Sequence, residues 1–202
     1  MEIICSDLEG VFIPEIWINV AQKTGIEELK LTTRDISDYD VLMKRRLSIL
    51  EKHHLKIKDI TDVIATMEPF EGAVEFVDWM RSKAQLIILS DTFSQFANPL
   101  MKKLGYPTLF CHSLTIEPDG RISSYNLRQS RAKRQTVLAL KTLYYKVIAF
   151  GDSYNDTDML KEADKGYFFR PPQNVIDEFP EFPVTRTYEE LKALIAKELT
   201  TK

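Results

Sequence analysis

The chain is poor in cysteine, and this scarcity excludes one class of fold. Of its 202 residues only two are cysteine, Cys5 and Cys111, and both lie in apolar segments. Small proteins held together by disulfides need several cysteines at regular spacings. We therefore expect two buried thiols in a core that is stabilised by hydrophobic packing.

Long apolar runs and a large excess of one charge are also lacking. No stretch approaches the roughly 20 apolar residues of a membrane-spanning helix. The net charge of −3 disfavours nucleic acid or an acidic membrane surface as the main partner. The first residues, Met1 and Glu2, differ from the basic start of a signal peptide. These features predict a cytoplasmic protein with no nucleic-acid or membrane partner.

Short apolar runs alternate with longer amphipathic stretches along most of the chain. The apolar runs predict strands at residues 3–5, 86–89, 108–111, 147–150 and 166–169. The amphipathic patterns predict helices at residues 72–81, 96–104, 134–143 and 157–162. This alternation predicts an α/β fold with a doubly wound, Rossmann-like parallel sheet. A turn at residues 118–120 also predicts a hairpin between 114–117 and 121–124.

The segment from residue 14 to residue 67 has helical periodicity and no convincing strand. Its helices could simply pack on the sheet, or they could form a cap inserted after the first strand. We favour the cap, because the segment interrupts the first βαβ crossover and would emerge where ligands bind in such sheets. The predicted domains are a core of residues 1–13 and 68–202 and a helical cap of residues 14–67.

Polar clusters follow three of the apolar runs, and each cluster contains at least one carboxylate. The clusters span residues 6–9, 90–92 and 151–156. Because parallel strands end at one edge of the sheet, these clusters should converge there. A run of cations at 131–134 precedes the fourth predicted strand. Several carboxylates beside cations suit Mg²⁺ bound together with a phosphate group.

These clusters resemble, in their order and strand context, the four motifs of the haloacid dehalogenase superfamily of phosphohydrolases. The matching stretches are Asp7-Leu8-Glu9-Gly10-Val11, Ser90, Lys133 and Gly151-Asp152-Ser153-Tyr154-Asn155-Asp156. Within the superfamily the chain is similar to phosphoserine phosphatases, and most of all to the bifunctional phosphoserine phosphatase/phosphoserine:homoserine phosphotransferases. The resemblance implies a Mg²⁺-dependent enzyme of serine and threonine biosynthesis that acts on phosphoserine and homoserine.

The resemblance also implies a role for each acidic residue of the motifs. Asp7 would be the nucleophile that forms an aspartyl phosphate, and Glu9 the general acid and base. Mg²⁺ would be bound by the side chains of Asp7 and Asp152 and by the backbone carbonyl of Glu9. Asp156 would either orient Lys133 or metal-bound waters, or simply favour the start of a helix.

Substrate-binding roles follow from the same resemblance. Ser90, Lys133 and Asn155 would hold the phosphate group. In the cap, Glu15 would bind the ammonium group of phosphoserine and Arg46 its carboxylate. The alternative is that Glu15 and Arg46 are solvated helix charges. Lys133 has a further alternative as an ordinary cation at a helix start, since Arg131 and Arg134 compete for its role.

Two positions depart from the pattern of phosphoserine phosphatases. Glu9 is one methylene longer than the usual aspartate, and Asp91-Thr92 stands where those enzymes have two glycines. A second carboxylate beside the phosphate site should weaken phosphate binding unless a cation offsets it. We hypothesise that Asp91 positions an amino group of the substrate or of an acceptor amino acid.

Other interpretations stay open at this point. The enzyme could transfer phosphate to water only, as a phosphoserine phosphatase. A phosphoaccepting regulatory domain also uses aspartates and Mg²⁺, but its acceptor lies well inside the chain, whereas Asp7 lies near residue 1. An inactive binding protein is disfavoured by the intact set of Asp7, Glu9, Asp152 and Lys133. The oligomeric state is also open, and a homodimer is one alternative.

Overall fold

The computed structural model describes residues 1–33, 35, 36 and 38–199. Residues 34 and 37 of the predicted cap and residues 200–202 of the predicted core therefore lie outside the described part. The strands are β1 Glu2–Ser6, β2 Gln85–Phe93, β3 Thr108–Ile116, β4 Ile122–Asn126, β5 Lys146–Gly151, β6 Lys165–Phe169 and β7 Val184–Thr185. The α-helices are α1 Ile16–Thr24, α2 Tyr39–Lys52, α3 Ile57–Ala65, α4 Ala73–Lys83, α5 Ser94–Lys103, α6 Ala132–Thr142, α7 Thr157–Glu162, α8 Gln173–Glu178 and α9 Tyr188–Glu198.

The strands form one sheet in the order β4-β3-β2-β1-β5-β6-β7. Every neighbouring pair is parallel except β3 and β4, which are antiparallel. The predicted α/β fold with a doubly wound sheet is thus confirmed. The chain runs outward from β1 in both directions, so the strand order reverses beside β1. Ligands bind at such a reversal, beyond the carboxyl ends of the strands.

Each central strand is covered on both faces, and its side chains alternate between two cores. On β1, Ile4 belongs to one core, whereas Ile3 and Cys5 belong to the other. The core around Ile4 includes residues of α4, α5 and α9, and the opposite core includes residues of α6, α7 and α8. This two-sided burial explains why the central strands have continuous apolar sequences.

Two strands differ in length from the predictions. The run at 108–111 and the first hairpin arm at 114–117 form a single strand, β3, which then turns into β4. Residues 90–92 were expected after the second strand, but they lie within β2. The register of β2 against β3 shifts between Leu89 and Phe93. Residues 90–92 are therefore part of the strand, but their pairing with β3 is irregular.

The segment between β1 and α4 is helical, and its helices contact both the sheet and one another. It contains α1, a 3₁₀ helix at Glu27–Lys30, α2 and α3. Helix α3 packs against α1 and α5, and α2 packs against β4. The Tyr125 hydroxyl of β4 donates a hydrogen bond to Asp40 of α2. The division into a cap of 14–67 and a core stays a prediction.

The cysteines are free thiols, as expected, although they differ in burial. Cys5 is fully buried, and this burial raises the pKa of its thiol to about 12. Cys111 is only half-buried. Among the described residues, none of the helices combines the length and the apolar character that crossing a membrane requires.

Candidate active site

The predicted catalytic residues meet at the carboxyl ends of three adjacent strands. Asp7 follows β1, Ser90 lies near the end of β2, and Asp152 follows β5. Because β1 pairs with both β2 and β5, the three side chains come from neighbouring strands. All three residues are buried, with 5% of each exposed. The site therefore lies where the strand order reverses.

Lys133 supplies a buried positive charge among the carboxylates. Its Nζ lies 2.7 Å from Oδ1 of Asp156, 3.0 Å from Oδ1 of Asp7 and 3.9 Å from Oδ2 of Asp91. Burial by itself would lower the pKa of Lys133, but Asp156, Asp7 and Asp91 together raise it well above its ordinary value. Lys133 therefore stays charged and holds three carboxylates around one ammonium group.

The neighbouring arginines pair with carboxylates other than those around Lys133. Arg131 forms an ion pair with Asp158 at 2.7 Å, and Arg134 forms one with Glu162 at 2.9 Å. Both side chains are partly exposed, whereas the Lys133 side chain is 5% exposed. Of the three cations that compete in the sequence, Lys133 is the one next to Asp7.

Asp156 is fully buried and combines the two roles that the sequence left open. Its Oδ1 accepts a hydrogen bond from Nζ of Lys133 at 2.7 Å. Its Oδ2 accepts backbone N–H bonds from Asp152 at 2.9 Å and from Ser153 at 3.1 Å. Gly151 leaves room for this carboxylate, because a Cβ there would overlap its atoms. Asp156 thus holds the Lys133 ammonium group and also closes the 3₁₀ turn Tyr154–Asp156 that precedes α7.

The carboxylates of Asp7, Asp152 and Asp156 lie close enough to bind a metal ion, with one oxygen of each within 4.8 Å of the others. Burial, followed by the charge of Asp156, raises the pKa of Asp7 well above its ordinary value. A divalent cation beside Asp7 would counter this effect and favour the ionised form. Asp156 accepts hydrogen bonds on both carboxylate oxygens, and the choice of Asp7 and Asp152 as the Mg²⁺ ligands stays a prediction.

Gly10 allows Asp152 to lie against the turn that follows β1. Gly10 has a φ of 74°, and a Cβ built there would overlap Oδ2 of Asp152. The turn carries the Glu9 backbone, whose carbonyl the sequence resemblance implies as a metal ligand. The Asp152 carboxylate therefore lies against the residue that follows Glu9.

Gly10→Ala is expected to weaken Mg²⁺ binding by about tenfold or more, because the methyl group must displace the Asp152 carboxylate. Calorimetric titration with Mg²⁺ measures the effect. Gly25→Ala is the matched control: Gly25 has a φ of 72°, and a Cβ there meets nothing within 4 Å. Both substitutions should cost about 1–2 kcal/mol of unfolding free energy through the left-handed backbone. Wild-type Mg²⁺ affinity in Gly10→Ala would contradict the proposed metal ligands.

Glu9 and Glu15 form a carboxyl pair beside the start of α1. Glu9 accepts the backbone N–H of Ile16 at 2.8 Å and is hydrogen-bonded to the Glu15 side chain. Burial, followed by the charge of Glu15, raises the pKa of Glu9 to about 8. Glu9 is therefore mostly protonated at neutral pH, the form that a general acid needs.

Arg46 is buried above the Trp17 ring, with its guanidinium carbon 4.6 Å from the ring centroid. One terminal nitrogen donates to the carbonyl of Leu31 at 2.9 Å. Burial lowers the pKa of Arg46 to about 10, so the side chain stays charged at neutral pH. Its Nε has no hydrogen-bond partner among the described residues. A buried guanidinium with an unused donor is suited to bind an anionic group.

Most of these side chains line one cavity of about 70 Å³. The predicted site residues that line it are Asp7, Glu9, Glu15, Arg46, Ser90, Asp91, Asp152 and Asn155. Lys133 lies beside it and lines a larger neighbouring cavity of about 660 Å³. Four residues line both cavities: Thr33, Tyr39, Asp91 and Asn155. The geometry thus groups the predicted residues, and their individual roles stay predictions.

Some residues of this region were not predicted. Trp17 supports Arg46, and the Tyr39 hydroxyl donates to the backbone carbonyl of Asp91 at 2.9 Å. His112 of β3 also reaches this region, where its Nε2 lies 3.4 Å from Oδ1 of Asp91. The sequence carries no signal for these contacts, because aromatic residues at helical or strand spacing are typical of any core.

Asp91, which we hypothesised to position an amino group, is surrounded by hydrogen-bond donors and a cation of the protein itself. Its Oδ2 accepts a hydrogen bond from Nδ2 of Asn155 at 2.9 Å. Burial would raise the pKa of Asp91, but Lys133, His112 and Asn155 outweigh it and hold this pKa below its usual range. The extra carboxylate is thus ionised and offset by the protein itself. Its role toward an amino group stays a prediction.

Comparisons with known proteins agree with this geometry. Residues 3–164 match the family model of the haloacid dehalogenase-like hydrolases. The chain is 63% identical over 192 residues to phosphoserine phosphatase ThrH of Pseudomonas aeruginosa, covering 95% of this chain and 94% of that protein. It is 62% identical over 192 residues to a phosphoserine phosphatase of Pseudomonas syringae pv. tomato, covering 95% of this chain and 81% of that protein.

Solved structures share the fold at much lower identity. A phosphoserine phosphatase in its apo form has a TM-score of 0.78 at 21% identity, over 95% of this chain and 98% of that one. A phospho-aspartyl intermediate analogue of phosphoserine phosphatase has a TM-score of 0.75 at 22% identity, over 96% of this chain and 98% of that one. At these identities the likeness concerns the fold.

Proposed function

Because this chain belongs to the haloacid dehalogenase-like hydrolases, we propose that it transfers the phosphoryl group of O-phosphoserine through an aspartyl phosphate on Asp7. The observation that carries the proposal is the buried contact of Asp7 with Lys133 at 3.0 Å, beside a cavity that Glu15 and Arg46 also line. Two relatives more than 60% identical are named phosphoserine phosphatase, which supports the choice of substrate.

In the first step, a carboxylate oxygen of Asp7 would attack phosphorus and the serine alkoxide would leave. Lys133 would hold the transferred group and stabilise its negative charge, because its ammonium group is fixed by Asp156 next to Asp7. Ser90 and Asn155, which line the same cavity, would bind further phosphate oxygens. This arrangement places the positive charge before the reaction begins.

Glu9 would transfer the protons. Its carboxyl group is held by the Ile16 N–H at 2.8 Å, and its raised pKa favours the protonated form that can donate to the leaving serine oxygen. The resulting carboxylate can then accept a proton from the hydroxyl that attacks the aspartyl phosphate. The longer side chain of Glu9, compared with aspartate, is accommodated by this backbone contact at the start of α1.

Asp7 and Asp152 would hold Mg²⁺ with their side chains, and Glu9 with its backbone carbonyl. When bound, Mg²⁺ supplies positive charge that offsets the phosphate and allows a carboxylate to approach it. Glu15 would bind the ammonium group of the substrate, and Arg46 would bind its carboxylate with the donor that is otherwise unused. These contacts would select a phosphorylated amino acid over other phosphate esters.

The acceptor in the second step would be water or homoserine. The proposal of homoserine rests on the resemblance of the sequence to phosphoserine:homoserine phosphotransferases. We expect phosphoserine to release inorganic phosphate, and added homoserine to yield phosphohomoserine at the expense of that phosphate. The experiment incubates the protein with Mg²⁺ and phosphoserine, with and without millimolar homoserine, and measures both products. Release of phosphate without formation of phosphohomoserine would exclude transfer to homoserine and would indicate a phosphoserine phosphatase. Neither product would contradict the proposed function.

Membership in a hydrolase family favours an enzyme over a phosphoaccepting regulatory domain. We propose that the protein acts in the cytoplasm, in serine and threonine biosynthesis, with phosphoserine and homoserine as its small-molecule partners. Assembly into a homodimer stays a prediction.

A further inference from the structure

His112 lies on β3, outside the motif stretches, and contacts the site through Asp91. It is 5% exposed. Its Nε2 lies 3.4 Å from Oδ1 of Asp91. Tyr39 packs against its ring edge-to-face, with 6.1 Å between the centroids. The imidazole therefore has a fixed position beside the wall that the two cavities share.

A backbone contact determines which ring nitrogen of His112 carries the hydrogen. The N–H of Arg128 donates to Nδ1 of His112 at 3.1 Å. A backbone N–H can only donate, so Nδ1 must accept and carries no hydrogen. In the neutral imidazole the hydrogen is then on Nε2, where it faces Oδ1 of Asp91. His112 is thus arranged to donate to Asp91.

Asp91 in turn connects His112 to two residues of the proposed phosphate site. Its Oδ2 accepts from Nδ2 of Asn155 at 2.9 Å and lies 3.9 Å from Nζ of Lys133. The other end of the Asn155 amide is fixed as well, because its Oδ1 accepts from the Ser153 hydroxyl at 2.5 Å. These contacts form a continuous row of donors and acceptors that starts at the Arg128 backbone and ends at Asn155.

We infer that His112 is a positioning residue that acts through Asp91 to hold Asn155 and Lys133 in place for binding the phosphoryl group. The inference rests on the proposed function, because that function assigns Asn155 and Lys133 to phosphate. The N–H of His112 keeps the Asp91 carboxylate turned toward its protein donors. The negative charge of Asp91 then serves to orient phosphate-binding side chains.

Two substitutions of His112 separate this role from a general structural one. In His112→Gln the side-chain amide can reach Asp91 as Nε2 does, whereas in His112→Asn the shorter side chain can accept from Arg128 but cannot reach Asp91. We expect His112→Asn to weaken the binding of inorganic phosphate, measured by calorimetry with Mg²⁺ present, by about tenfold. We expect His112→Gln to restore most of that loss.

An Asp91→Asn background tests whether the effect passes through Asp91. There, His112→Asn should cause little further loss, because residues that act through one partner are not additive. Equal phosphate affinity in His112→Asn and His112→Gln would overturn the inference. An undiminished effect of His112→Asn in the Asp91→Asn background would overturn it as well.

The position of the His112 ring hydrogen in the wild-type protein provides a test that does not depend on phosphate affinity. It has three histidines, so the ring nitrogen signals of a ¹⁵N-labelled sample can be assigned to His112 by comparison with His112→Gln. We expect hydrogen on Nε2, and hydrogen on Nδ1 would overturn the inference. Failure of the proposed function would show differently, as wild-type protein that neither binds phosphate nor turns over phosphoserine.

Discussion

Asp7→Asn is expected to abolish phosphoryl transfer from phosphoserine to both water and homoserine. The amide has no carboxylate oxygen to attack phosphorus, so no aspartyl phosphate can form. The loss should reach about 10⁴-fold or more, as for the removal of other nucleophiles. Release of phosphate and formation of phosphohomoserine in the presence of Mg²⁺ measure it.

The same substitution should leave the fold intact, which separates chemistry from stability. Asp7 is one of three carboxylates around Lys133, and its burial disfavours the charge that the substitution removes. The unfolding free energy of Asp7→Asn should therefore equal or exceed that of the wild type. Asp78→Asn makes the same chemical change on the exposed face of α4 and should keep full activity. Turnover by Asp7→Asn near the wild-type rate would contradict the assignment of the nucleophile.

Lys133→Met is expected to lose phosphoryl transfer and, unlike Asp7→Asn, much of the stability as well. It removes the ammonium group that lies within 3.0 Å of both Asp7 and Asp156. Asp156 is fully buried. Without Lys133, its carboxylate would lose the cation that it pairs with. Breaking a buried ion pair in this way costs about 3–5 kcal/mol of unfolding free energy. Urea denaturation measures the stability, and phosphate release from phosphoserine measures the activity.

The neighbouring arginines provide the matched controls for Lys133. Arg131→Met and Arg134→Met each break an ion pair near the surface, and such pairs contribute about 0–1 kcal/mol. The double variant Lys133→Met/Asp156→Asn should recover part of the stability but no activity, because it removes the unpaired charge without replacing the phosphate-binding cation. Wild-type stability and turnover in Lys133→Met, or a larger loss in either arginine variant, would contradict the structure.

The sheet and the position of the acidic clusters could be predicted because a strand that is buried on both faces has a continuous run of apolar residues in the sequence. The run at 147–150 is apolar throughout, since its side chains fill cores on both faces of the sheet. A polar cluster directly after such a run must lie at the edge where the strand leaves the core. The positions of Asp7 and Asp152 followed from this pattern, without knowledge of their partners.

The choice among the cations at 131–134 depended on the orientation of α6. Residues of one helical turn differ in direction by about 100° per residue, so adjacent cations face different surroundings. Lys133 faces Asp7 and Asp156, whereas Arg134, the next residue of α6, faces Glu162. The sequence offered all of them as candidates because the helix ends and packing partners were not defined.

The partners of Asp91 depended on contacts between distant parts of the chain. Asn155 lies 64 residues away in the sequence, and His112 comes from β3. These contacts depend on the order of the strands and on the register shift between β2 and β3 at Leu89–Phe93. Local patterns of residues specify which segments become strands and where charges leave the core. Which charges then meet depends on packing between segments, since a side chain's partners are set by register and helix orientation rather than by its neighbours in sequence.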